Sequence, residues 1–490
     1  MEGVRKRLAV GSLWTAGIRV LINLIGLAST IVLARLLTPA DFGLVAIATV
    51  VFAIVSAFTE LSLAAALIQH RDPQREHFDT AWTLNVIRAL IVAAILAVAA
   101  HIIAAAYRDE RLILIMYALC GATIITGLGN PRLIEFRRRL SFQQEMFVEF
   151  ANKFAGLIVA ATIAFAFRTY WAIVLGLVAA QCVSLILSYI LISYRPRLSL
   201  RHWRNLFSFS SWLGLSSGLR AINYRADHLA VGAVLGTVPL GQYTVGDNLA
   251  ALPVRESMAP LSYVLFPAFS KLQDDSARMR DAYLRAQRIL AAVALPVGVG
   301  FALIAAPLVE LVLGSQWSAA ALVIQILSTI YALNAFSTPL MPLAMGLART
   351  RLLFIRDVIN LFVRYPLIFA GLFSGGLVGL LLARCVSGLF AVGFDIYLAR
   401  RLVGAPVVDQ VLSSWRAILA TLIMVLVIVG MGRLGISGAN FFELVWLILA
   451  GGVCYFAATL LLWFAADRPD GPEREAVEIV QILRRRTAGA

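Results

Sequence analysis

GLRAINYRADHLAVG, residues 218–232, sets Arg220, Arg225, Asp227 and His228 inside an apolar segment that runs from about 207 to 235. The surroundings make those charges costly. The chain has a mean hydropathy of +0.86, is 61% hydrophobic and carries only 14% charged residues. Fourteen apolar runs follow one another, near 9–33, 42–68, 81–105, 112–130, 147–168, 171–194, 207–235, 240–268, 289–313, 319–346, 352–373, 376–399, 416–433 and 441–465. Each is long enough to cross a hydrocarbon core of roughly 30 Å. Backbone groups in lipid must be satisfied within the segment, and these runs lack strand alternation, so they predict helices. The fold class expected is an all-α integral membrane protein.

The arginines set the orientation. Arg5-Lys6-Arg7, Arg137-Arg138-Arg139, the segments from Arg195 to Arg204 and from Lys271 to Arg288, and Arg484-Arg485-Arg486 all fall on one side. The opposite loops hold Arg35, Arg108, Arg111, Arg168 and Arg433. The positive-inside rule then places both termini in the cytoplasm. The net charge of +15 is read as a topology signal, and no basic soluble domain exists to carry nucleic-acid binding. MEGVRKRLAVGSLWTAG has a basic start like a signal peptide's, but Arg19 interrupts its apolar part and a retained first helix is expected. Cys120, Cys182, Cys385 and Cys454 are scattered without a CxxC pair, which suggests neither a disulfide framework nor a metal site.

Working outward from Gly218, the chain repeats itself. Gly17-Ile18-Arg19 recurs as Gly218-Leu219-Arg220, 201 residues later. At the same offset Leu33-Ala34 matches Val234-Leu235, Phe42 matches Tyr243 after a short turn, and QHRDPQRE aligns with KLQDDSAR. The Pro131 region finds its counterpart near Pro339. Six helices separate the copies, so both halves run the same way and their site is expected at the repeat interface. The domains read are an N-lobe over 1–205, a C-lobe over 206–405, two further helices over 406–466, and a cytoplasmic tail over 467–490.

VLARLLTPADFGLVAIATV, NYRADHLAVGAVLG and LSYVLFPAFSKLQDD resemble the Wzx-type polysaccharide-transport flippases of the MOP (multidrug, oligosaccharidyl-lipid and polysaccharide exporter) superfamily. The likeness runs from about residue 8 to about 400 in order and spacing; beyond that only hydropathy matches. It implies two six-helix lobes around a central cavity, with two extra helices. It also implies alternating-access export of an undecaprenyl-diphosphate-linked oligosaccharide across a bacterial inner membrane, for surface-polysaccharide or O-antigen synthesis. The implied partners are that lipid-linked sugar, membrane lipids, and a polymerase and chain-length regulator of the same pathway. The protein is expected to act as a monomer, with no cofactor and with H+ or Na+ coupling to be decided.

The in-span cations are Arg19, Arg88, Lys153, Arg220, Arg225, Arg255, Arg364 and Arg384; acids at similar depth include Glu60, Asp227, Asp247, Glu256 and Asp395. Each would cost between about 2.5 and 3.5 kcal/mol against lipid by insertion scales, so they should face a wet cavity or a partner. At 100° per residue Arg220 and Asp227 fall on one face with Ser216, Asn223 and Tyr224. Arg225 points about 140° away from Arg220 and needs a partner on another helix, with Asp247 or Glu60 as candidates. Arg19 is the repeat mate of Arg220, so the pair predicts a cationic substrate site; guanidinium binds diphosphate oxygens bidentately and stays charged in low dielectric. Pro253 and Pro260 flank Arg255-Glu256 and predict a kinked or broken helix there. The substrate-binding candidates are therefore Arg19, Arg88, Arg220, Arg225, Arg255 and Arg364. The candidates for coupling or ion pairing are Glu60, Asp227, Asp247 and Glu256. The competing reading makes the same charges interhelical pairs that hold each lobe together. Lys153 is read as snorkelling to the headgroups, and AVEIVQILRRR as an amphipathic tail on the inner leaflet.

Other functions compete with a flippase. A drug or cation antiporter of the superfamily would favour acidic cavity residues, and a lipid II flippase needs the same diphosphate recognition. A membrane glycan polymerase or ligase needs a long periplasmic loop, whereas these outer loops are short. No GxxxxGK[ST] phosphate loop is present for an ABC exporter.

Overall fold

Apolar segments that must satisfy their own backbone fold as helices, and no strand occurs among the described residues. A computed structural model describes residues 2–490 except 61–62, 70–72, 140, 142, 437, 469–470, 472 and 475–490. The tail segment AVEIVQILRRR lies outside the described residues.

The chain divides into two compact units, Met1–Gly241 and Gln242–Ala490. The first holds α1 (Glu2–Leu36), α2 (Pro39–Phe58), α3 (Leu63–Gln69), α4 (Arg75–Tyr107), α5 (Arg111–Gly127), α6 (Ile134–Arg138), α7 (Gln143–Phe167), α8 (Trp171–Leu191) and α9 (Trp203–Leu235). The second holds most of α10 (Thr237–Lys271), then α11 (Ser276–Leu303), α12 (Ala305–Val312), α13 (Ser318–Leu333) and α14 (Leu340–Gly346). It continues through α15 (Thr350–Val403), α16 (Val407–Leu412), α17 (Trp415–Arg433) and α18 (Phe441–Ala465).

Among the described residues ten helices are long and apolar enough to cross a membrane, and up to eleven if the bent pair Arg111–Gly127 and Pro131–Arg138 forms one span. Helix α15 enters that count once, yet its 54 residues would make a rod of about 81 Å. It is not one rod. Gly375 and Gly376 leave the helical region (φ 56° at Gly376), and a Cβ on Gly371 would meet the Gly379 carbonyl oxygen at 2.3 Å. Those glycines would stand about 12 Å apart on a straight helix, so the chain reverses here. Helices α9 and α10 are also of spanning length and carry most of the singled-out charges.

Helix α2 starts at a capping box: the Thr38 side chain accepts from the Asp41 amide, and Asp41 accepts from the Thr38 amide (2.9 Å). That turn packs on its own repeat mate. A Cβ on Gly43 would fall 1.8 Å from the Thr237 carbonyl oxygen, and one on Gly241 would fall 1.8 Å from that of Pro39. The two matched turns thus meet reciprocally, backbone to backbone, where only glycine fits. Gly43→Ala must push these turns apart, at a cost of about 1–3 kcal/mol or more. The melting temperature of purified protein in detergent should fall clearly; an unchanged value would show that the turns separate freely.

Helix α9 is fixed at both ends within the first unit. Its approach is stitched to the start of α4, where the Tyr194 hydroxyl donates to Asp79 (2.5 Å), the Ser199 amide to Thr83 (3.0 Å) and Arg201 to Glu76 (2.7 Å). Burial, and then this bond to Asp79, push the Tyr194 phenol well above its ordinary pKa. Farther along, Gly218 lies against the Phe58 ring, and the Tyr107 hydroxyl donates to the Leu229 carbonyl (2.7 Å). These contacts set the rotation of α9 and with it the placement of its charges.

The sequence predicts a kink or a break near Arg255. Helix α10 does not break: it runs from Thr237 to Lys271 through Pro253, Pro260 and Pro267. Each proline removes one N–H from the ladder, and the flanking turns hold the helix across it.

Candidate functional site

In the first unit the buried face of α9 collects Asn223, Asp227 and His228, whereas Tyr224 and Arg225 stand exposed and Arg220 is half-buried. Asp227 is wholly buried. One of its oxygens accepts from the His228 amide and lies 3.1 Å from His228 Nδ1. Arg220 donates to Ser217 of its own helix (3.2 Å). Neither Arg220 nor Arg225 makes an ion pair among the described residues. Glu60, a candidate partner for Arg225, lies within electrostatic reach of Arg88 instead. Arg88 is half-buried and donates to the Ser56 carbonyl near the end of α2 (3.2 Å). Arg19 is exposed on α1. Arg220 and Arg225 therefore sit in a helix of spanning length with no carboxylate among the described residues holding them. That arrangement leaves their donors available to an anion.

In the second unit Arg255 is exposed and, among the described residues, pairs with its neighbour Glu256 (3.1 Å). Asp247, the other candidate partner for Arg225, belongs to a buried cluster. The Tyr331 hydroxyl donates to Asp247. Arg384 stands 3.7 Å from the same oxygen, donates to Tyr331 (3.1 Å), and donates to the Tyr243 hydroxyl. Arg364 is half-buried and acts electrostatically on Tyr331. Sequence reading named Asp247 and Arg384 without joining them, and missed both tyrosines. The available signal was Tyr243 standing where the repeat has Phe42: the added hydroxyl is the one that meets Arg384.

A second buried set joins Arg356, Asp357 and Asp395. Arg356 donates to Asp357 through Nε and Nη2 (3.0 and 2.7 Å) and lies 3.7 Å from Asp395. Among the described residues no group of three His, Cys, Asp or Glu side chains could hold a metal ion. A cavity of about 570 Å³ opens within the first unit, lined by Asn85, Arg137, Glu145, Glu149, Asn152 and Lys153 among others. Of the singled-out residues it takes in Lys153 and Arg137, and none of the substrate-binding candidates.

A family model described as polysaccharide biosynthesis protein matches residues 32–322, more than half of the chain. The chain belongs to that family. It is 24% identical to the lipopolysaccharide biosynthesis protein WzxC of Escherichia coli (strain K12), over 84% of this chain and 85% of that protein. It is 24% identical to the succinoglycan biosynthesis transport protein ExoT of Rhizobium meliloti (strain 1021), over 81% of each. Among solved structures, the lipid II flippase MurJ in an inward closed conformation superposes with a TM-score of 0.75 at 15% identity, covering 93% of this chain and all of that one. An inward-facing multidrug-resistance MATE transporter of the MOP superfamily gives 0.56 at 17% identity, covering 79% and 98%. Those two likenesses establish a MOP-type fold. This member of the polysaccharide biosynthesis family is thus a multi-pass, all-helical membrane protein, as its hydropathy and motifs indicate.

Proposed function

We propose that this protein is a flippase, not an enzyme, and that it moves a lipid-diphosphate-linked oligosaccharide from the cytoplasmic to the periplasmic leaflet of a bacterial inner membrane. The observation that carries the reading is the pair Arg220 and Arg225, lodged in α9 without a carboxylate partner among the described residues. A desolvated guanidinium is a strong, geometrically matched donor to diphosphate oxygens. Relatives named for polysaccharide biosynthesis and transport support the substrate class. In this reading the chain forms fourteen spans with both termini cytoplasmic, in lobes over 1–205 and 206–405, and works by alternating access.

Arg19, Arg88, Arg255 and Arg364 join Arg220 and Arg225 in binding the substrate, and Glu60 and Glu256 tune the arginines beside them. If an ion gradient drives the cycle, Asp227 and Asp247 take up the proton or Na+. The polymerase and chain-length regulator of the pathway receive the flipped product from a monomeric transporter. A drug antiporter is disfavoured because no carboxylate among the described residues pairs with Arg220 or Arg225.

Binding tests the substrate class. Purified protein should retain a radiolabelled prenyl-diphosphate-linked sugar, and unlabelled prenyl diphosphate should displace it far better than prenyl monophosphate. Equal competition by the monophosphate would rule out diphosphate recognition. A reporter fused after Ala490 should be active only as a cytoplasmic reporter; periplasmic activity would reverse the orientation.

A further inference from the structure

The cavity of about 570 Å³ in the first unit takes in none of the arginines assigned to the diphosphate, yet its lining is strongly polar. Asn85 is half-buried about 15 Å along α4 from Arg75. Its side chain has no hydrogen-bond partner among the described residues. Asn152 donates both amide hydrogens, to the Ala180 carbonyl (2.8 Å) and to Ser184 Oγ (2.7 Å), which leaves its Oδ1 open. A smaller cavity of about 240 Å³ shares Asn85 and Ser184 with the first and adds Gln181. Gln181 Oε1 accepts from Thr126 (3.2 Å), and its Nε2 meets no acceptor among the described residues. Glu149 and Lys153, one turn apart and exposed on α7, make neither hydrogen bond nor ion pair there. Arg137 and Glu145 are the remaining charges of the lining, and they pair with each other.

This polar lining does not look toward lipid. At 100° per residue, Asn152 lies about 140° around α7 from the exposed stripe of Phe147, Phe154 and Ile158. Ser184 lies about 140° around α8 from the exposed Ile186 and Ile190. Farther along the inward face of α7, Gly156 packs on Gly176 of α8. The cavity is therefore internal to the helices of the first unit, and an acyl or prenyl chain is a poor occupant for it.

We propose that this cavity binds the saccharide part of the transported molecule, at a site of its own apart from the arginines of α9. The inference rests on the transport reading for its ligand and goes beyond it in placing the glycan. The charges select a neutral ligand. Two cations face two carboxylates, and Arg137 is already held by Glu145, so no surplus of cations remains for a diphosphate. A sugar hydroxyl both donates and accepts, as this lining requires: Glu149 and Asn152 Oδ1 accept, Lys153 and Gln181 Nε2 donate, and the Asn85 amide does both. Leu67 and Phe136 give an apolar wall for the C–H face of a sugar ring. The volume falls within the range of roughly 300–1,000 Å³ usual for ligand pockets, which combine such walls with a few placed polar groups. With the orientation proposed above, the cavity lies at the cytoplasmic end of these helices, where the cargo is loaded.

The test is saturation-transfer NMR on the purified full-length protein in detergent. The probe is the repeat-unit oligosaccharide of the host's own surface polysaccharide, freed of lipid and phosphate. Native protein should bind it. Glu149→Gln and Asn85→Leu should each weaken binding about tenfold or more, as loss of one charge-assisted hydrogen bond or of two neutral ones does. Asn85→Leu strips no described residue of a partner, so its melting temperature should stay native, and both variants should retain labelled prenyl diphosphate as the native protein does. Equal glycan binding by the native protein and both variants overturns the site and leaves the flippase reading standing. So does a native protein that holds prenyl diphosphate but no glycan, which is what a merely water-filled cavity gives. A native protein that binds neither probe overturns the flippase reading as well. Loss of both ligands in either variant would make its effect global, and the assignment would fall.

Discussion

Arg220→Gln should abolish export of lipid-linked oligosaccharide while leaving membrane insertion, abundance and melting temperature at native levels. The residue is half-buried on α9 and, among the described residues, bonds to Ser217 of its own helix alone. Removing it therefore strips no partner of a counter-charge. Losing one charge-assisted contact in a partly desolvated site is worth about 1.5–3 kcal/mol, roughly ten- to over a hundred-fold in affinity. Arg220→Lys should rescue only partly, since lysine keeps the charge and loses the bidentate fork. The alternative makes Arg220 a structural counter-ion of Asp227, one helix face and two turns away. Asp227 is instead wholly buried against His228. Arg220→Ala combined with Asp227→Ala should accordingly stay inactive, and recovery of export in that double variant would leave only an ion pair.

The largest stability loss should come from Arg384→Met. Arg384 is buried and stands 3.7 Å from Asp247, whose side chain is only 13% exposed. Breaking a buried pair from one side costs up to about 3–5 kcal/mol. Tyr331 and Tyr243 lose a shared donor at the same time. The midpoint of thermal unfolding should drop by many degrees, and abundance with it. Arg384→Met combined with Asp247→Asn should recover much of the loss, because the two sites share one network and their effects are not additive. A double variant no better than the single would mean that the tyrosine contacts, rather than the charge, dominate.

Much of the fold was legible because hydropathy and chain length act locally. A run of about 20 apolar residues can only be a helix in lipid, and the repeated turns at Phe42 and Tyr243 mark two matched starts that do pack together through Gly43 and Gly241. The state of α10 was not legible in that way. Pro253 and Pro260 weaken a helix locally, but whether it breaks depends on neighbouring packing, and here it continues. Side-chain partnership was the least legible layer. Angular geometry put Arg220 and Asp227 on one face, yet a shared face is not a contact at two turns' separation. Asp395 meets Arg356 only because α15 reverses at Gly375 and Gly376. Tyrosine hydroxyls also escape a search confined to formal charges, though Tyr283, Tyr243 and Tyr331 all stand at buried carboxylate or guanidinium groups.

Reconstitution bears most directly on the central claim. Purified protein in liposomes, loaded on one leaflet with a fluorescent lipid-diphosphate oligosaccharide, should deliver the intact molecule to the other leaflet, and the Arg220→Gln protein should not. Translocation at the same rate in empty and protein-bearing liposomes, or appearance of a lengthened or released glycan in place of the intact one, would contradict the account.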